Sequence, residues 1–328
     1  MDIRQLRYFV AIAEAGSVSN AAQRVHIAQP SLSQHIRQME AELGAMLFVR
    51  GPRGVVPTEA GELLLQHARI ILGHFEAAHD EIRGSQIQPA GEVRFGLSPT
   101  VAQILSVPLI EESSRRYPLI RICLAEAMSG YLLDWLREGR VSLAIIYRQS
   151  EAQNVTCRHV LTEEMSLIGP ADAVIDENAD GTVDFAKVGS KPLILPGPSH
   201  GLRSLIDEVA ASEKVELDVR IEMDAFTQIK VLCSRGHGFS ILPTVAVSDD
   251  VRAGRLKAWG ITNPPLTRNL YMAYRMDHPL SNAAVAVNRL CGELIAKLVR
   301  NGDWPATLPP GHAVEEPLPV RIAGRPSS

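Results

Sequence analysis

The sequence predicts an α/β protein with an all-α N-terminal domain, and two kinds of hydrophobic periodicity support this prediction. Near the N-terminus, apolar residues such as Ile3, Leu6 and Val10 recur at the spacing of an amphipathic helix. From Glu92 onward, short apolar strands alternate with helical segments, which is typical of an α/β domain. The length of 328 residues is sufficient for two or three domains.

The composition is that of an ordinary globular protein. Hydrophobic residues make up 46% of the chain and charged residues 21%, which argues against a disordered chain, a collagen or a disulfide-rich scaffold. The net charge of −4 argues against a nucleic-acid-binding protein of the uniformly basic kind. No apolar run reaches the ~18 residues of a membrane span, and residues 1–4 lack the apolar start of a signal peptide. We therefore expect a bacterial-type cytoplasmic protein without membrane contacts.

Three helices are predicted in the first 43 residues. The first covers residues 3–15, and Ser17 can then cap a short second helix, because a serine hydroxyl accepts a hydrogen bond from a first-turn N–H group. Proline is favoured at the first positions of a helix, so Pro30 indicates that a third helix begins at Gln29. This helix is expected to end at Leu43, before Gly44.

The third predicted helix has two unlike faces. One carries an apolar stripe that includes Leu32, Ile36 and Met39. The other is small and polar, has no acidic residue before Glu40, and can reach base edges in the major groove. A short helix, a tight turn and a helix with such a face are typical of a helix-turn-helix, although an ordinary solvated face is the alternative. The sequence thus predicts binding to double-stranded DNA through Gln29, Pro30, Ser31, Ser33, Gln34 and Arg37.

A hairpin with a basic tip is predicted next. Short apolar strands flank Arg50-Gly51-Pro52-Arg53-Gly54, a pattern that indicates a turn. A hairpin after a helix-turn-helix is a wing, and its arginine side chains can contact phosphate or enter the minor groove. Arg50 and Arg53 are therefore further predicted DNA contacts, and residues 1–60 are predicted to form one winged helix-turn-helix domain.

These 60 residues resemble the winged helix-turn-helix of LysR-type transcriptional regulators, and the resemblance extends to about residue 300. Ala28 departs from the pattern, because the family often has serine there, whose hydroxyl could cap the helix or meet a phosphate. The resemblance implies DNA contacts by the residues that match Gln29, Pro30, Ser33, Gln34 and Arg53. It is carried by Leu6-Arg7-Tyr8-Phe9, Ser17–Ala22, Ala28–Gln34, Leu43-Gly44, Leu47–Arg50 and Pro57–Gly61.

A narrower resemblance is to the nitrogen-assimilation-control type of this family. It rests on His26-Ile27-Ala28-Gln29-Pro30 and on Ala144-Ile145-Ile146-Tyr147. The wider family resemblance implies a homodimer or homotetramer that acts at promoters, with RNA polymerase as a further partner.

Residues 58–84 are predicted as a dimerising linker helix that ends in a hinge at Gly84-Ser85-Gln86. Its apolar residues are spaced by alternating steps of four and three, which is a heptad seam. Packing against its own domain is one reading of this seam. Pairing with a second copy is favoured, because little else in the chain could cover it, and the family resemblance implies the same. The seam consists of Leu64, Ala68, Ile71, Phe75, Ala78 and Ile82.

Residues 91–300 contain the α/β series and are predicted as an effector-binding domain. Leu143–Tyr147 is a continuous apolar run of the kind found in buried parallel strands. The family resemblance implies a periplasmic-binding-protein-like fold of two α/β lobes. Lobe I would comprise residues 91–162 and 269–300, and lobe II residues 163–268. The chain is expected to cross between them near Leu161–Met165 and Leu266–Leu270.

Polar residues follow several predicted strands, where open α/β sheets bind their ligands. Ser98 and Thr100 come directly after the strand Val93–Leu97, at a helix start whose N–H groups can bind a carboxylate or phosphate. A helix cap, a turn or a packed aromatic is the alternative for each residue. The family resemblance implies a small-molecule effector, an anion or another metabolite. The predicted effector contacts are Ser98, Thr100, Ser129 and Tyr147 in lobe I and His200, Phe226, Thr227 and Gly238 in lobe II.

Two other functions compete with this one. An enzyme on the α/β lobes would need a catalytic constellation, and no Gly-x-Ser-x-Gly, Walker A or metal-ligand cluster occurs in the sequence. Cys157-Arg158-His159 lies on a predicted strand and leaves a metal or thiolate site conceivable. A redox-sensing regulator would use Cys157 or Cys233, although the sequence lacks a close resolving pair. No catalytic residue, metal or cofactor is predicted.

Residues 301–328 contain six prolines and no periodic apolar pattern. They are predicted as a disordered tail, because such a segment buries too little apolar surface to fold. Trp304 is expected to dock locally.

Overall fold

The computed structural model describes residues 1–51, 54–83, 88–147, 154–198, 200–276 and 280–310. Three predicted features fall outside this part of the chain: Arg53 at the wing tip, the hinge at residues 84–86 and the tail beyond residue 310. The side chain of Arg50 also lies outside it. None of the helices within these ranges is long and apolar enough to cross a membrane.

Three helices, a hairpin and the start of a long helix form the N-terminal domain. The first helix begins at a capping box, in which the side chains of Asp2 and Gln5 each accept a hydrogen bond from the other's backbone N–H. Ser17 caps the second helix, and the third ends before Gly44, as predicted. The elements are α1 (Ile3–Ala15), α2 (Val18–Arg24), α3 (Gln29–Leu43), β1 (Phe48–Gly51), β2 (Gly54–Pro57) and α4 (Glu59–Arg83).

One apolar cluster holds this domain together. Phe9 and Ile12 of α1 pack with Leu32 and Met39 of α3, and all four side chains are fully buried. Ala21 of α2 is also buried, and its small side chain lets the helices approach closely. Burying an apolar side chain of Leu or Phe size contributes roughly 1.5–3 kcal/mol, so the stripe of α3 faces the cluster and its polar face remains outside.

The C-terminal part alternates strands and helices. Its first half consists of β3 (Gly91–Leu97), α5 (Pro99–Arg116), β4 (Ile120–Glu126), α6 (Ser129–Arg137), β5 (Leu143–Ile146) and β6 (Val155–Pro170). Its second half consists of β7 (Val183–Asp184), α7 (Phe185–Gly189), β8 (Leu193–Leu195), α8 (Gly201–Glu213), β9 (Val219–Glu222), α9 (Phe226–Ser234), β10 (Ser240–Pro243), α10 (Thr244–Arg252) and β11 (Leu256–Thr262). The chain continues through β12 (Thr267–Arg275), α11 (Asn282–Arg300) and β13 (Ala306–Thr307).

The first sheet has the strand order β4-β3-β5-β12-β6. Its first three strands are parallel, whereas β12 is antiparallel to both β5 and β6. Successive residues of β5 are buried in two different apolar clusters, one with α5 and α11 and the other with α6. The sheet therefore carries helices on both faces, which explains why β5 is apolar throughout. We call this sheet with α5, α6 and α11 lobe I.

The second half forms lobe II around the other end of β6. There β10 and β11 pair with β6 in antiparallel fashion, and β7 adds to β11 in parallel. A parallel pair of β8 and β9 lies beside them, joined to the loop before β10 by a bridge between Leu193 and Phe239. A separate apolar cluster that includes Phe185, Leu195 and Trp259 fills this lobe.

Strand β6 belongs to both lobes. Its residues 155–164 pair with β12, and residues 165–170 pair with β10 and β11. In this place the sequence predicted a strand at Cys157–His159 and another at Met165–Ile168 rather than one continuous strand, and it did not predict β7, α7, α10, β11 or β13. The full length of β6 depends on partners that are distant in the chain, which local periodicity does not record.

The prediction of a disordered tail from residue 301 is wrong for residues 306–308. Trp304 docks as expected and is fully buried in the lobe I cluster, where Leu308 also packs. Residues 306–307 form β13, antiparallel to residues 162–163 of β6. The backbone groups of this segment find hydrogen-bond partners on β6, which stabilises it despite its proline content.

Charged residues connect the N-terminal domain to lobe I. Arg94 of β3 donates two hydrogen bonds to the Glu14 carboxylate of α1, at 2.7 and 2.8 Å. Arg69 of α4 lies 3.7 Å from the same carboxylate. A cavity of about 610 Å³ lies between the two domains. Because partly exposed ion pairs contribute at most about 1 kcal/mol each, these contacts add little to stability.

Candidate DNA interface and effector cleft

The polar face of α3 lies open to solvent. Gln29, Pro30, Ser31, Gln34 and Arg37 are exposed, and Ser33 is half-buried. The apolar stripe on the opposite side of the helix is buried. The structure therefore brings six of the eight predicted DNA-binding residues to one side of one helix, where they could meet base edges together.

Two contacts position side chains on this face. Ser19 of α2 donates a hydrogen bond to Gln29 Oε1 at 3.2 Å, so the amide N–H groups of Gln29 can be presented outward. Arg37 Nε donates to the carbonyl of Ser33 at 3.4 Å, which bends the guanidinium back along the helix. Ala28 occupies the N-cap of α3 and provides no side-chain cap. The hydrogen bond from Ser19 to Gln29 was not predicted from the sequence.

The wing is attached to the end of α1. Val55 N–H donates to the carbonyl oxygen of Gly16 at 2.9 Å. Gly54 has a φ of +117°, and a Cβ added there would collide with the same carbonyl oxygen, so only glycine fits this close approach. The hairpin pairs Gly51 with Gly54. DNA contacts by Arg50 and Arg53 stay predictions.

The predicted seam of α4 divides into two parts. Leu65, next to the seam, and Ala68 within it are buried against α1 and α3, and Leu64 is partly covered by the same cluster. Further along the helix, Ile71 is 41% exposed and Ile82 is 86% exposed. The N-terminal end of the seam thus belongs to the DNA-binding domain, as the alternative reading expected. The remainder presents an open apolar stripe.

Three predicted effector contacts of lobe I meet at one point. The Tyr147 hydroxyl, just beyond β5, forms hydrogen bonds with Ser98 Oγ and with Thr100 Oγ1, the latter at 2.5 Å. Ser98 is the N-cap of α5, but its side chain makes no capping hydrogen bond. The alternative reading of Ser98 as a plain side-chain cap therefore does not describe it. Burial raises the pKa of Tyr147, so its hydroxyl remains protonated at neutral pH.

A buried ion pair lies directly beside these hydroxyls. The guanidinium carbon of Arg268 is 3.5 Å from the centre of the Tyr147 ring, and Arg268 Nη2 donates to Thr100 Oγ1 at 3.3 Å. Glu163 accepts from Arg268 Nε at 2.8 Å and from Nη2. Trp304 Nε1 in turn donates to the second oxygen of Glu163 at 3.2 Å. Sequence reasoning missed Arg268 and Glu163, although both lie at the crossings that it predicted.

Strand direction explains why these residues meet. The carboxyl ends of the parallel strands β3, β4 and β5 share one edge of the sheet. Because β12 runs antiparallel to β5, its first residues lie at the same edge, and Arg268 is the second of them. Ser129 follows β4 and begins α6, so it belongs to this edge as well. Its Oγ is buried without a hydrogen-bond partner among the described residues.

His200 and Phe226 form the lobe II part of the predicted site. Their rings meet edge to face, with centres 5.3 Å apart. His200 is the N-cap of α8, and its Nδ1 accepts a hydrogen bond from the N–H of Leu202 at 3.1 Å. Burial lowers the pKa of His200, with Asp224 opposing this and the charge of Arg268 adding to it. A neutral imidazole whose Nδ1 accepts carries its proton on Nε2, which remains a donor.

The other two lobe II residues lie differently. Thr227 is exposed in the first turn of α9. Gly238 is buried, has a φ of +156°, and a Cβ added there would lie 2.6 Å from the carbonyl oxygen of Pro192. This close approach is explained by the packing of the turn against lobe II. The turn reading of Gly236-His237-Gly238 thus accounts for Gly238 without an effector.

Two of the four cysteines are buried thiols with little reactivity. None of the four forms a disulfide, and Cys233 and Cys291 are buried. Burial raises the pKa of each of these two thiols to about 12, so neither supplies a thiolate at neutral pH. The described residues contain no group of three or more side chains suited to holding a metal ion, and this includes the neighbourhood of Cys157 and His159.

Comparison with known proteins identifies the class. Residues 3–62 match the family described as bacterial regulatory helix-turn-helix protein, lysR family, and residues 86–296 match the LysR substrate binding domain. The chain belongs to the LysR family of DNA-binding transcriptional regulators, with an effector-binding domain behind the helix-turn-helix. The predicted family, fold class and regulatory function are confirmed, and the family consists of regulators rather than enzymes.

Individual relatives extend over almost the whole chain. The nitrogen assimilation regulatory protein nac of Escherichia coli (strain K12) is 31% identical over 302 residues, which cover 91% of this chain and 97% of the relative. This similarity confirms the narrower resemblance. Among solved structures, a full-length OxyR variant from Pseudomonas aeruginosa has a TM-score of 0.75 at 24% identity and covers 90% of this chain and 97% of its own. CbnR complexed with its target DNA has a TM-score of 0.62 at 20% identity and covers 90% and 99%.

Proposed function

We propose that this chain is a cytoplasmic regulator that binds an operator as a symmetric oligomer and responds to a small molecule held between lobes I and II. The exposed polar face of α3 carries the proposal. In this proposal residues 1–60 bind DNA, residues 58–84 dimerise, and residues 91–300 bind the effector. RNA polymerase at the promoter is the proposed downstream partner.

The DNA contact follows from the position of α3. Its first turns carry Gln29, Gln34 and Arg37, which can donate to base edges and phosphates in the major groove. Arg53 and Arg50 would hold the adjacent backbone from the wing. The solved structure of CbnR was obtained with its target DNA, and this relative has the same fold.

Dimerisation through α4 is supported by its open stripe. Ile71, Phe75 and Ile82 are exposed on one seam, and a second copy of α4 would cover them. Pairing would present two α3 helices to two half-sites of an operator, which raises affinity beyond that of one domain. Tetramer formation would require a further surface.

The effector would bind where the sheet edge of lobe I faces His200 and Phe226. This region combines hydroxyl groups, a buried cation and aromatic rings, a mixture typical of small-molecule sites. A ligand can change DNA binding only if it binds one arrangement of the lobes more tightly than the other.

A gel-shift assay with the intergenic DNA beside the protein's own gene tests the proposal. We expect a retarded complex that a scrambled duplex of equal length does not compete away. Absence of retardation at low salt, with and without added metabolites, would contradict the proposed function.

Substitution of Gln34 tests the assignment of the reading helix. We expect Gln34→Ala to weaken specific binding by ~1–3 kcal/mol while leaving binding to scrambled DNA nearly unchanged, because a base contact specifies sequence. Gln228→Ala on α9, which is also an exposed helical glutamine, is the matched control. Equal losses on both duplexes would show that Gln34 contacts no base edge.

A further inference from the structure

The crossing between the lobes contains a chain of buried polar groups from three distant parts of the sequence. Trp304 donates to Glu163, Glu163 pairs with Arg268, and Arg268 lies against Tyr147. The exposed fractions are 0% for Trp304, 1% for Glu163 and 5% for Arg268. A buried ion pair is costly unless its remaining hydrogen-bonding groups are satisfied.

One group in this chain is not satisfied. Arg268 uses Nε and Nη2 on Glu163 and Thr100, but Nη1 is buried and has no hydrogen-bond partner among the described residues. The Oγ atom of Ser129, at the same sheet edge, is also buried without a hydrogen-bond partner among the described residues. Native proteins rarely leave such atoms unpaired, so each of the two atoms calls for a partner such as a bound ligand, an ion or an ordered water.

We propose that Arg268 Nη1 binds the carboxylate of a small monocarboxylic acid, that Ser129 donates a second hydrogen bond to this ligand, and that Trp304 positions Arg268 through Glu163. The proposal rests on the proposed effector cleft and names the chemistry that the cleft selects. It also assigns a function to the segment after α11, since Trp304 belongs to it.

The described residues around this point include one cation, Arg268, whose free guanidinium edge can bind one carboxylate. Arg268 and Glu163 cancel each other, and the hydroxyls of Ser98, Thr100 and Tyr147 are neutral. The lowered pKa of His200 keeps that imidazole neutral at pH 7, and the charge of Arg268 is one of its causes. These residues therefore offer donors to one carboxylate but no second cation to a dianion. A charge-assisted hydrogen bond is stronger than a neutral one, so a carboxylate is preferred over an amide or alcohol.

Glu163 and Trp304 are positioning residues in this scheme. Glu163 holds Nε and Nη2 of the guanidinium, which leaves Nη1 as the free edge. Trp304 fixes the other oxygen of Glu163, and β13 keeps Trp304 against the crossing strand. The effect of Trp304 on ligand binding should therefore depend on its N–H donor as well as on its bulk.

The test is calorimetric titration of the full chain with lactate, its neutral analogue lactamide, and inorganic phosphate. We expect lactate to bind at least about tenfold more tightly than lactamide, since a hydrogen bond to a charged group contributes ~1.5–3 kcal/mol. We expect phosphate to bind more weakly than lactate. Tighter binding of phosphate, equal binding of lactate and lactamide, or no binding of either would overturn the assignment.

Two conservative variants then locate the contact. Arg268→Lys keeps a cation beside Glu163 but removes the Nη1 donor, and Ser129→Ala removes a hydroxyl that has no hydrogen-bond partner among the described residues. Each should reduce the preference for lactate over lactamide while DNA binding without ligand is retained. An unchanged preference in Arg268→Lys would overturn the proposal. Loss of DNA binding by the wild-type chain would instead count against the proposed function.

Trp304→Phe tests the positioning role. It keeps an aromatic ring in the lobe I cluster but removes the donor to Glu163, and we expect the preference for lactate over lactamide to fall severalfold. Leu308→Ala, which loosens the same segment without touching Glu163, is the matched control and should leave this preference unchanged. Equal effects of the two variants would show that Trp304 acts only by packing.

Discussion

At the scale of single residues, the two lobes meet around side chains whose protonation is set by burial. His200 is 6% exposed and accepts a hydrogen bond at Nδ1, so its neutral form is the one that fits the folded protein. Tyr147 is held in its protonated form for the same reason. Both groups therefore act as neutral hydrogen-bonding partners at pH 7.

Stability should fall on mild acidification because of His200. Burial lowers its pKa in the folded state below the ordinary value of 6.5. The unfolded chain thus binds more protons in the window below 6.5, and the free energy of unfolding decreases as the pH falls from 7 into that window. We expect His200→Asn to flatten this decrease, since an asparagine cap accepts the same hydrogen bond without titrating. Urea unfolding between about pH 5 and 8 measures this pH dependence of the free energy of unfolding. The control is His237→Asn, at an exposed histidine.

Thiol reactivity should separate the cysteines into two pairs. With a pKa of about 12, Cys233 and Cys291 contain almost no thiolate at pH 8 and are sterically covered. Iodoacetamide should label the half-buried Cys123 and Cys157 first, and all four only after denaturation. Mass spectrometry of the labelled peptides gives the order in which the four cysteines react. Rapid labelling of native Cys233 would restore the redox-sensing hypothesis.

At the scale of elements, the DNA-binding helix lacks a cap that its neighbours have. Asp2 caps α1 and Ser17 caps α2 through side-chain oxygens, whereas Ala28 leaves α3 uncapped. The first-turn N–H groups of α3 are therefore available to another acceptor, such as a phosphate oxygen. Some stability is therefore absent at the helix that is proposed to contact DNA.

Ala28→Ser should stabilise the protein by about 1 kcal/mol, because its hydroxyl can accept from the N–H of Ser31. Pro30 has no N–H, so the N–H of Ser31 is the donor that the new hydroxyl can accept from. Urea unfolding of the isolated variant gives the change in free energy. Ala28→Val adds bulk without an acceptor and should give no gain, and an equal gain from valine would refute the capping explanation.

The predictability of elements depended on whether their signals were local. The bounds of α1 and α3 agree with the sequence prediction, because caps, a proline and terminal glycines mark them locally. Strands β11 and β13 were missed, because both are defined by pairing with β6. A strand that exists through its partner leaves a weak pattern in its own residues.

At the scale of the whole molecule, the open part of the α4 stripe predicts an oligomer. Ile71→Glu places a charge in the seam, and we expect it to shift the protein to monomer and to weaken operator binding, since a buried unpaired carboxylate is costly. Val174→Glu, at a side chain that is 95% exposed, should change neither property. Sedimentation velocity measures the oligomeric state. A dimer that survives Ile71→Glu would place the interface elsewhere.

The sequence by itself determined the helix-turn-helix and its exposed face. Caps, stripes and the polar face of α3 lie within 45 residues of one another, so periodicity and capping chemistry record them directly. It also indicated that Ser98, Thr100 and Tyr147 lie at one edge of the sheet, because strand ends mark the edge of an α/β sheet.

Only the tertiary structure decided what stands beside those hydroxyls. Arg268 lies 105 residues and Trp304 141 residues after Glu163 along the chain, and the three meet because β6 pairs with both β12 and β13. An ion pair that forms across such a register has no local signal, since its energy depends on burial and on partners that the fold supplies.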